Sequence, residues 1–132
     1  KEASGNFSLL AHTRFLCGDD FYIWSGNDDQ VVPMMALGAK GVISVASNIV
    51  PEVMAEMTHL CLDNDFAAAS QLQIRYMDLI DALFTEVNPI PIKAAMNLLG
   101  MDAGSLRLPL CDISDKNLDT LRRAMERAGL LK

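Results

Sequence analysis

The sequence predicts an α/β fold in which three βα units are followed by an all-helical segment, and three observations predict it. Two short runs, Phe21-Tyr22-Ile23-Trp24-Ser25 and Gly41-Val42-Ile43-Ser44-Val45, are nearly continuous in apolar, β-branched and aromatic residues, which is the pattern of strands buried on both faces. The stretches between and after them carry helix punctuation instead. From residue 64 onward the alternation stops and only helical spacing of apolar residues remains.

Taken in order, Lys1-Glu2-Ala3 reads as the last residues of a first strand. Residues 6–17 form a helix capped by Asn6 or Ser8 and halted at Gly18. Residues 27–37 form the next one. Asp28-Asp29 complements its macrodipole, Pro33 is tolerable in its first turns, and Gly38 stops it. Pro51-Glu52 opens a third helix with Val53, Met54, Met57, Leu60 and Cys61 on one face. The three strands therefore end near Lys1, Ser25 and Ser44. Crossovers of this kind join parallel strands with a right-handed sense.

In the second part, Asp65 caps a long helix bearing Phe66, Ala69, Leu72, Tyr76, Leu79 and Leu83, which Asn88-Pro89-Ile90-Pro91 breaks. A helix from Pro91 ends at Gly100, and Leu106-Arg107-Leu108-Pro109-Leu110 is an extended connector. Ser114 caps a last helix with Leu118, Leu121 and Met125 inward and Gly129 as its stop. The expected division is residues 1–63 and residues 64–132, the latter a three-helix domain.

Three parallel strands alone leave two open apolar edges, whereas parallel sheets are found covered on both faces. More strands are needed. The pattern fits the C-terminal half of a (β/α)8 TIM barrel, from the end of strand 6 to helix 8, since such a barrel takes roughly 250 residues and this chain has 132. The expected partner is the N-terminal half of the same barrel, and the opening Lys1-Glu2-Ala3-Ser4-Gly5-Asn6 predicts that residues precede Lys1.

Composition narrows the function. Seventeen acidic against eleven basic residues give a net charge of −6, which is no footprint for nucleic acid or an anionic membrane surface. No apolar run approaches the roughly 20 residues that span a bilayer. Cys17, Cys61 and Cys111 lie far apart with no CxxC pair and no His at ligand spacing, so no metal site is expected and the thiols suit a reducing cytoplasm. His12 and His59 read as surface or packing residues. Trp24 reads as core filling, and the eight methionines as packing or subunit-interface residues.

In barrels of this kind the chemistry sits at the C-terminal strand ends, which here means Lys1, residues 25–28 and residues 43–47. Lys1 is the candidate catalytic residue. A lysine amine desolvated in a barrel mouth loses basicity and condenses with a ketone as a Schiff base. Gly26, lacking a Cβ, permits close approach of substrate or chain at the neighbouring strand end, with a tight turn as the plain structural alternative.

Five segments then converge. Lys1-Glu2-Ala3-Ser4-Gly5-Asn6, Ser25-Gly26-Asn27-Asp28-Asp29, Gly41-Val42-Ile43-Ser44-Val45, Asn88-Pro89-Ile90-Pro91-Ile92-Lys93 and Leu106-Arg107-Leu108-Pro109-Leu110 together resemble the dihydrodipicolinate synthase family, in its order and along essentially the whole chain. The resemblance implies condensation of pyruvate with aspartate semialdehyde on the diaminopimelate route to lysine, through a lysine Schiff base, with no metal or organic cofactor. It implies Lys1 as that lysine and Ile43 as the pyruvate-site isoleucine whose main-chain carbonyl faces the reacting centre. Ile43→Val is then expected to be mild. Asn88 resembles a position near the site entrance, although a helix stop explains it as well. A homotetramer is also implied.

The same resemblance assigns the proton relay of a threonine and two tyrosines, and the arginine receiving the second substrate, to residues before Lys1. Tyr22 and Tyr76 do not match that relay and are expected in the core or on a helix face. Two other readings stay open. One is a related pyruvate-dependent aldolase such as N-acetylneuraminate lyase, and the other is a non-catalytic α/β interaction module that pairs its edge strands with a partner.

Overall fold

The computed structural model describes residues 1–132. It contains six α-helices: α1 (Phe7–Cys17), α2 (Val31–Ala36), α3 (Pro51–Leu62), α4 (Phe66–Ala82), α5 (Ile90–Leu98) and α6 (Asp115–Arg127). Two 3₁₀ turns, Asp28–Gln30 and Ala46–Asn48, precede α2 and α3. The chain forms two compact units, Lys1–Arg75 and Tyr76–Lys132. Their boundary falls inside α4, and Gln73 of α4 bonds within the first unit, accepting from the Val32 N–H at 2.9 Å.

In the first unit the three expected strands are extended segments rather than ladders. Single parallel bridges join Glu2 to Ser25 and Ser25 to Val42. The order and direction are those expected. The Glu2 N–H donates to the Trp24 carbonyl at 2.8 Å and the Gly26 N–H to the Glu2 carbonyl at 2.7 Å. On the other side, the N–H groups of Lys40, Ser25 and Ile43 donate to the carbonyls of Ile23, Gly41 and Ser25, each at 2.8 Å. The pairing stops there because the chain turns into 3₁₀ geometry at Asp28 and again at Ala46.

Burial on both faces does not hold for the segment through Ser25. Ile23 and Ser25 are buried, but Phe21, Tyr22 and Trp24 are 51, 66 and 40% exposed. From Tyr22 to Ser25 the exposure alternates with the pleat, which sends successive side chains to opposite faces, while Phe21 at the start of the run is exposed out of step. Trp24 and Tyr22 therefore stand outside the buried core that this chain forms by itself. The Trp24 ring lies over Gly41, where a Cβ would come within 2.8 Å of it, so glycine makes room for the ring.

The helix signals are mostly realised. The Asn6 side chain accepts from the Leu9 N–H at 3.0 Å and caps α1, and Asp65 caps α4 by accepting from the Ala68 N–H at 3.0 Å. Pro51 opens α3, which packs on α2 and buries Met54, Met57 and Cys61 on one face. Full burial of a side chain such as Met57 stabilises by roughly 1.5–3 kcal/mol. Asp28-Asp29 opens a 3₁₀ turn, with α2 following only from Val31.

In the second unit α5 packs on α6, and Leu121, Ala124 and Met125 of α6 are buried with Ile90, Ile92 and Ala95 of α5. Leu118 is half-buried. Ser114 stands before α6 in extended geometry but its hydroxyl does not cap the helix. It donates instead to the Glu86 Oε1 at 2.7 Å, which also accepts from the Ser114 N–H at 3.0 Å and the Asn117 amide at 2.8 Å. These bonds, the Ser114 hydroxyl first, hold the Glu86 carboxyl below its usual value of 4.5. No helix is long and apolar enough to cross a membrane.

Candidate active site

The two parallel bridges set Lys1, Gly26 and Ile43 on adjacent extended segments of the first unit. Lys1 is exposed, and its aliphatic stem lies across Gly26: a Cβ built there would stand 2.7 Å from the Lys1 Cε and 2.7 Å from the Ala3 Cβ. Real Cβ atoms do not approach so closely, so glycine at 26 is what lets the lysine cross its neighbour. Ile43 is half-exposed, with its N–H held by Ser25. Asn88 belongs to the second unit, where it is exposed and precedes Pro89 through a cis bond ahead of α5.

Beside Lys1 a cavity of about 200 Å³ is lined by Lys1, Glu2, Leu10, Thr13, Phe21, Tyr22 and Ile23. Leu10 and Ile23 form its buried floor. Hydrogen bonds from Ser4 hold the neighbouring Glu2 carboxyl below its usual value, so the residue next to the lysine supplies a carboxylate across the neutral range. No group of three His, Cys, Asp or Glu side chains stands together as a metal site. The three cysteines are free, and burial pushes the Cys61 thiol above its ordinary value.

Behind these residues lies a hydrogen-bonded clip that the sequence did not reveal. Asp28, 1% exposed, accepts from the N–H groups of Val45 and Ala46 through its Oδ2, both at 2.9 Å. It therefore caps the turn after the next extended segment rather than serving the macrodipole of its own helix. Buried Ser25 donates its hydroxyl to the Asn27 carbonyl at 2.9 Å and accepts from the Asn27 N–H at 3.2 Å. Gln73 closes the clip from α4, accepting from the Val32 N–H at 2.9 Å and donating to the Asp29 carbonyl. The only local signal was the adjacent pair Asp28-Asp29, and nothing in it distinguishes a buried residue from a solvated one.

The geometry can be set beside known proteins. The model of the dihydrodipicolinate synthetase family matches residues 1–128. The chain belongs to that family. It is 53% identical over 126 residues to a 4-hydroxy-tetrahydrodipicolinate synthase of Clostridium novyi, covering 96% of this chain and 43% of that one. The crystal structure of the dihydrodipicolinate synthase from Aquifex aeolicus matches with a TM-score of 0.96 and 40% identity over 98% of this chain and 44% of that chain. The dihydrodipicolinate synthase from Cyanidioschyzon merolae, crystallised with lysine bound, matches with a TM-score of 0.94 and 44% identity over 99% of this chain and 44% of that one. The chain thus spans less than half the length of these dihydrodipicolinate synthase relatives, and the family match runs through both compact units.

Proposed function

We propose that this chain supplies the Schiff-base lysine and part of the pyruvate site of a 4-hydroxy-tetrahydrodipicolinate synthase, with residues 1–63 completing a (β/α)8 barrel and residues 64–132 forming its helical appendage. The observation that carries the reading is the Lys1 stem crossing Gly26 at the end of parallel segments whose third member bears Ile43. Family membership supports it.

In the proposed reaction the Lys1 amine attacks the pyruvate ketone and water leaves, giving an imine. Its protonated nitrogen takes up electron density, so a methyl proton departs and an enamine forms. The enamine carbon attacks the aldehyde carbon of aspartate semialdehyde, and the aldehyde oxygen takes a proton to become the 4-hydroxyl. The amine of the adduct then closes on the imine carbon and expels Lys1. The Ile43 carbonyl faces the reacting centre, Gly26 keeps the lysine's path open, and Asn88 is the residue that resembles the family's entrance position. The remaining proton-transfer and carboxylate-binding groups come from the N-terminal half of the same barrel, in a cytoplasmic homotetramer.

Borohydride reduction of the full-length protein in the presence of pyruvate tests this. A reduced pyruvate adduct is expected on the peptide carrying Lys1 and absent from Lys1→Arg; an unmodified Lys1 with adduct elsewhere, or none, would sink the mechanism. Turnover of aspartate semialdehyde but not of N-acetylneuraminate separates this reading from a sister aldolase.

A further inference from the structure

Residues 43–46 are held at both ends by residues 25–28. At one end the Ile43 N–H donates to the Ser25 carbonyl at 2.8 Å. At the other, the Val45 and Ala46 N–H groups converge on a single oxygen of Asp28. Only Ser44 lies between, and it is tied in turn: its hydroxyl accepts from the Ser47 N–H at 2.8 Å and its carbonyl from the Ser47 hydroxyl at 3.2 Å. The Ile43 carbonyl therefore leaves a backbone fixed on either side within three residues.

Asp28 is an expensive residue for that task, because it is almost fully buried and its second oxygen has no partner. A buried acidic oxygen left unsatisfied opposes folding and asks for an explanation. One oxygen of Asp28 satisfies two adjacent N–H groups that would otherwise be left without partners, a task that depends on an acceptor at that reach.

We propose that Asp28 is a positioning residue of the aldolase site, acting through Val45 and Ala46 to aim the Ile43 carbonyl at bound pyruvate. The inference rests on the function proposed above. It adds a residue that touches no substrate and whose loss is read in imine formation. A side chain merely filling space would affect folding and leave that rate alone.

The test is the rate of borohydride-trapped pyruvate adduct at Lys1, at subsaturating pyruvate, in the full-length protein and in Asp28→Asn, Asp28→Ser and Asp28→Ala, with thermal melts to select folded variants. Asn keeps an acceptor at the same reach and is expected within about threefold of the parent. Ser is one bond short of both N–H groups and Ala has no acceptor, so each is expected to slow trapping by about tenfold or more, as ångström-scale misplacement does. If Ala does not fold, Ser carries the comparison. Parental trapping rates in folded Ser or Ala variants overturn the proposal, as does a folded Asn variant as slow as Ser. A parent that forms no adduct at Lys1 refutes the aldolase reading instead, which keeps the two failures apart.

Discussion

Residues 1–75 and residues 76–132 each contain an acidic side chain, Asp28 and Glu86, that gathers backbone N–H donors from far along the sequence, and the two do so under opposite conditions. Asp28 is buried, satisfies its donors with one oxygen and leaves the other bare. Glu86 is within reach of water and collects the Ser114 N–H, the Ser114 hydroxyl and the Asn117 amide, fixing the start of α6. Glu86 replaces a local helix cap by a remote one, while Asp28 adds a remote acceptor to a turn that Ser44 already caps locally. The difference is what a lost bond leaves behind. Water can take over the donors of Glu86, whereas those of Asp28 face the protein interior and have no substitute.

Three substitutions sharpen that comparison. The largest effect is expected from Gly26→Ala, where the added methyl meets both the Ala3 Cβ and the Lys1 Cε at 2.7 Å. The lysine stem can swing aside but Ala3 cannot without moving the main chain. Overpacking of this kind costs about 1–3 kcal/mol, and the displaced lysine is expected to lose about 100-fold in adduct formation. Trapping kinetics and a thermal melt of the full-length protein measure the two together, and a Gly26→Ala variant trapping at the parental rate breaks the assignment.

Next is Gln73→Ala, which strands the Val32 N–H and frees the Asp29 carbonyl. A buried donor left unmade costs about 1–3 kcal/mol, and because Gln73 is itself half-exposed the lower end is expected. Chemical denaturation reads the loss. A concurrent but smaller decline in trapping is expected, since Gln73 steadies the clip at one remove from Asp28.

Glu86→Gln is expected to be the smallest, and its effect to depend on pH. The Glu86 carboxyl is held below 4.5 in the folded protein, so it binds protons less readily folded than unfolded. Its contribution is fully present above that value and disappears as pH falls through the lower folded value. The melting temperatures of parent and variant should therefore differ slightly at pH 7 and converge in acid. A gap that widens on acidification contradicts the assignment.

Helices were readable where their signals are local. Asn6 and Leu9, or Asp65 and Ala68, are three residues apart, and the proline of α3 stands at its first position. What escaped was tied across distance. The donors of Asp28 lie 17 and 18 residues away, the partners of Gln73 41 and 44, and Ser114 finds Glu86 28 residues earlier. Sequence periodicity carries no information about such pairings. Ser114 has the right composition for a cap, yet a carboxyl brought to the same helix start by the fold takes its hydroxyl. Likewise the apolar run through Trp24 reads as buried on both faces, while in this chain Phe21, Tyr22 and Trp24 are exposed. The position of Lys1, Gly26 and Ile43 on adjoining segments was legible because parallel βα order fixes which strand ends are neighbours.

On the proposed reading the acceptor at Ile43 is part of the main chain, and this changes where heritable damage can fall. Substituting residue 43 alters a side chain and leaves every version of the carbonyl in place, so a saturation scan there should look permissive among branched aliphatics. The sensitivity migrates to codon 28, fifteen residues upstream, at a side chain hidden from solvent. A survey of tolerated variation at the pyruvate site would then find its least forgiving position among residues that no ligand touches.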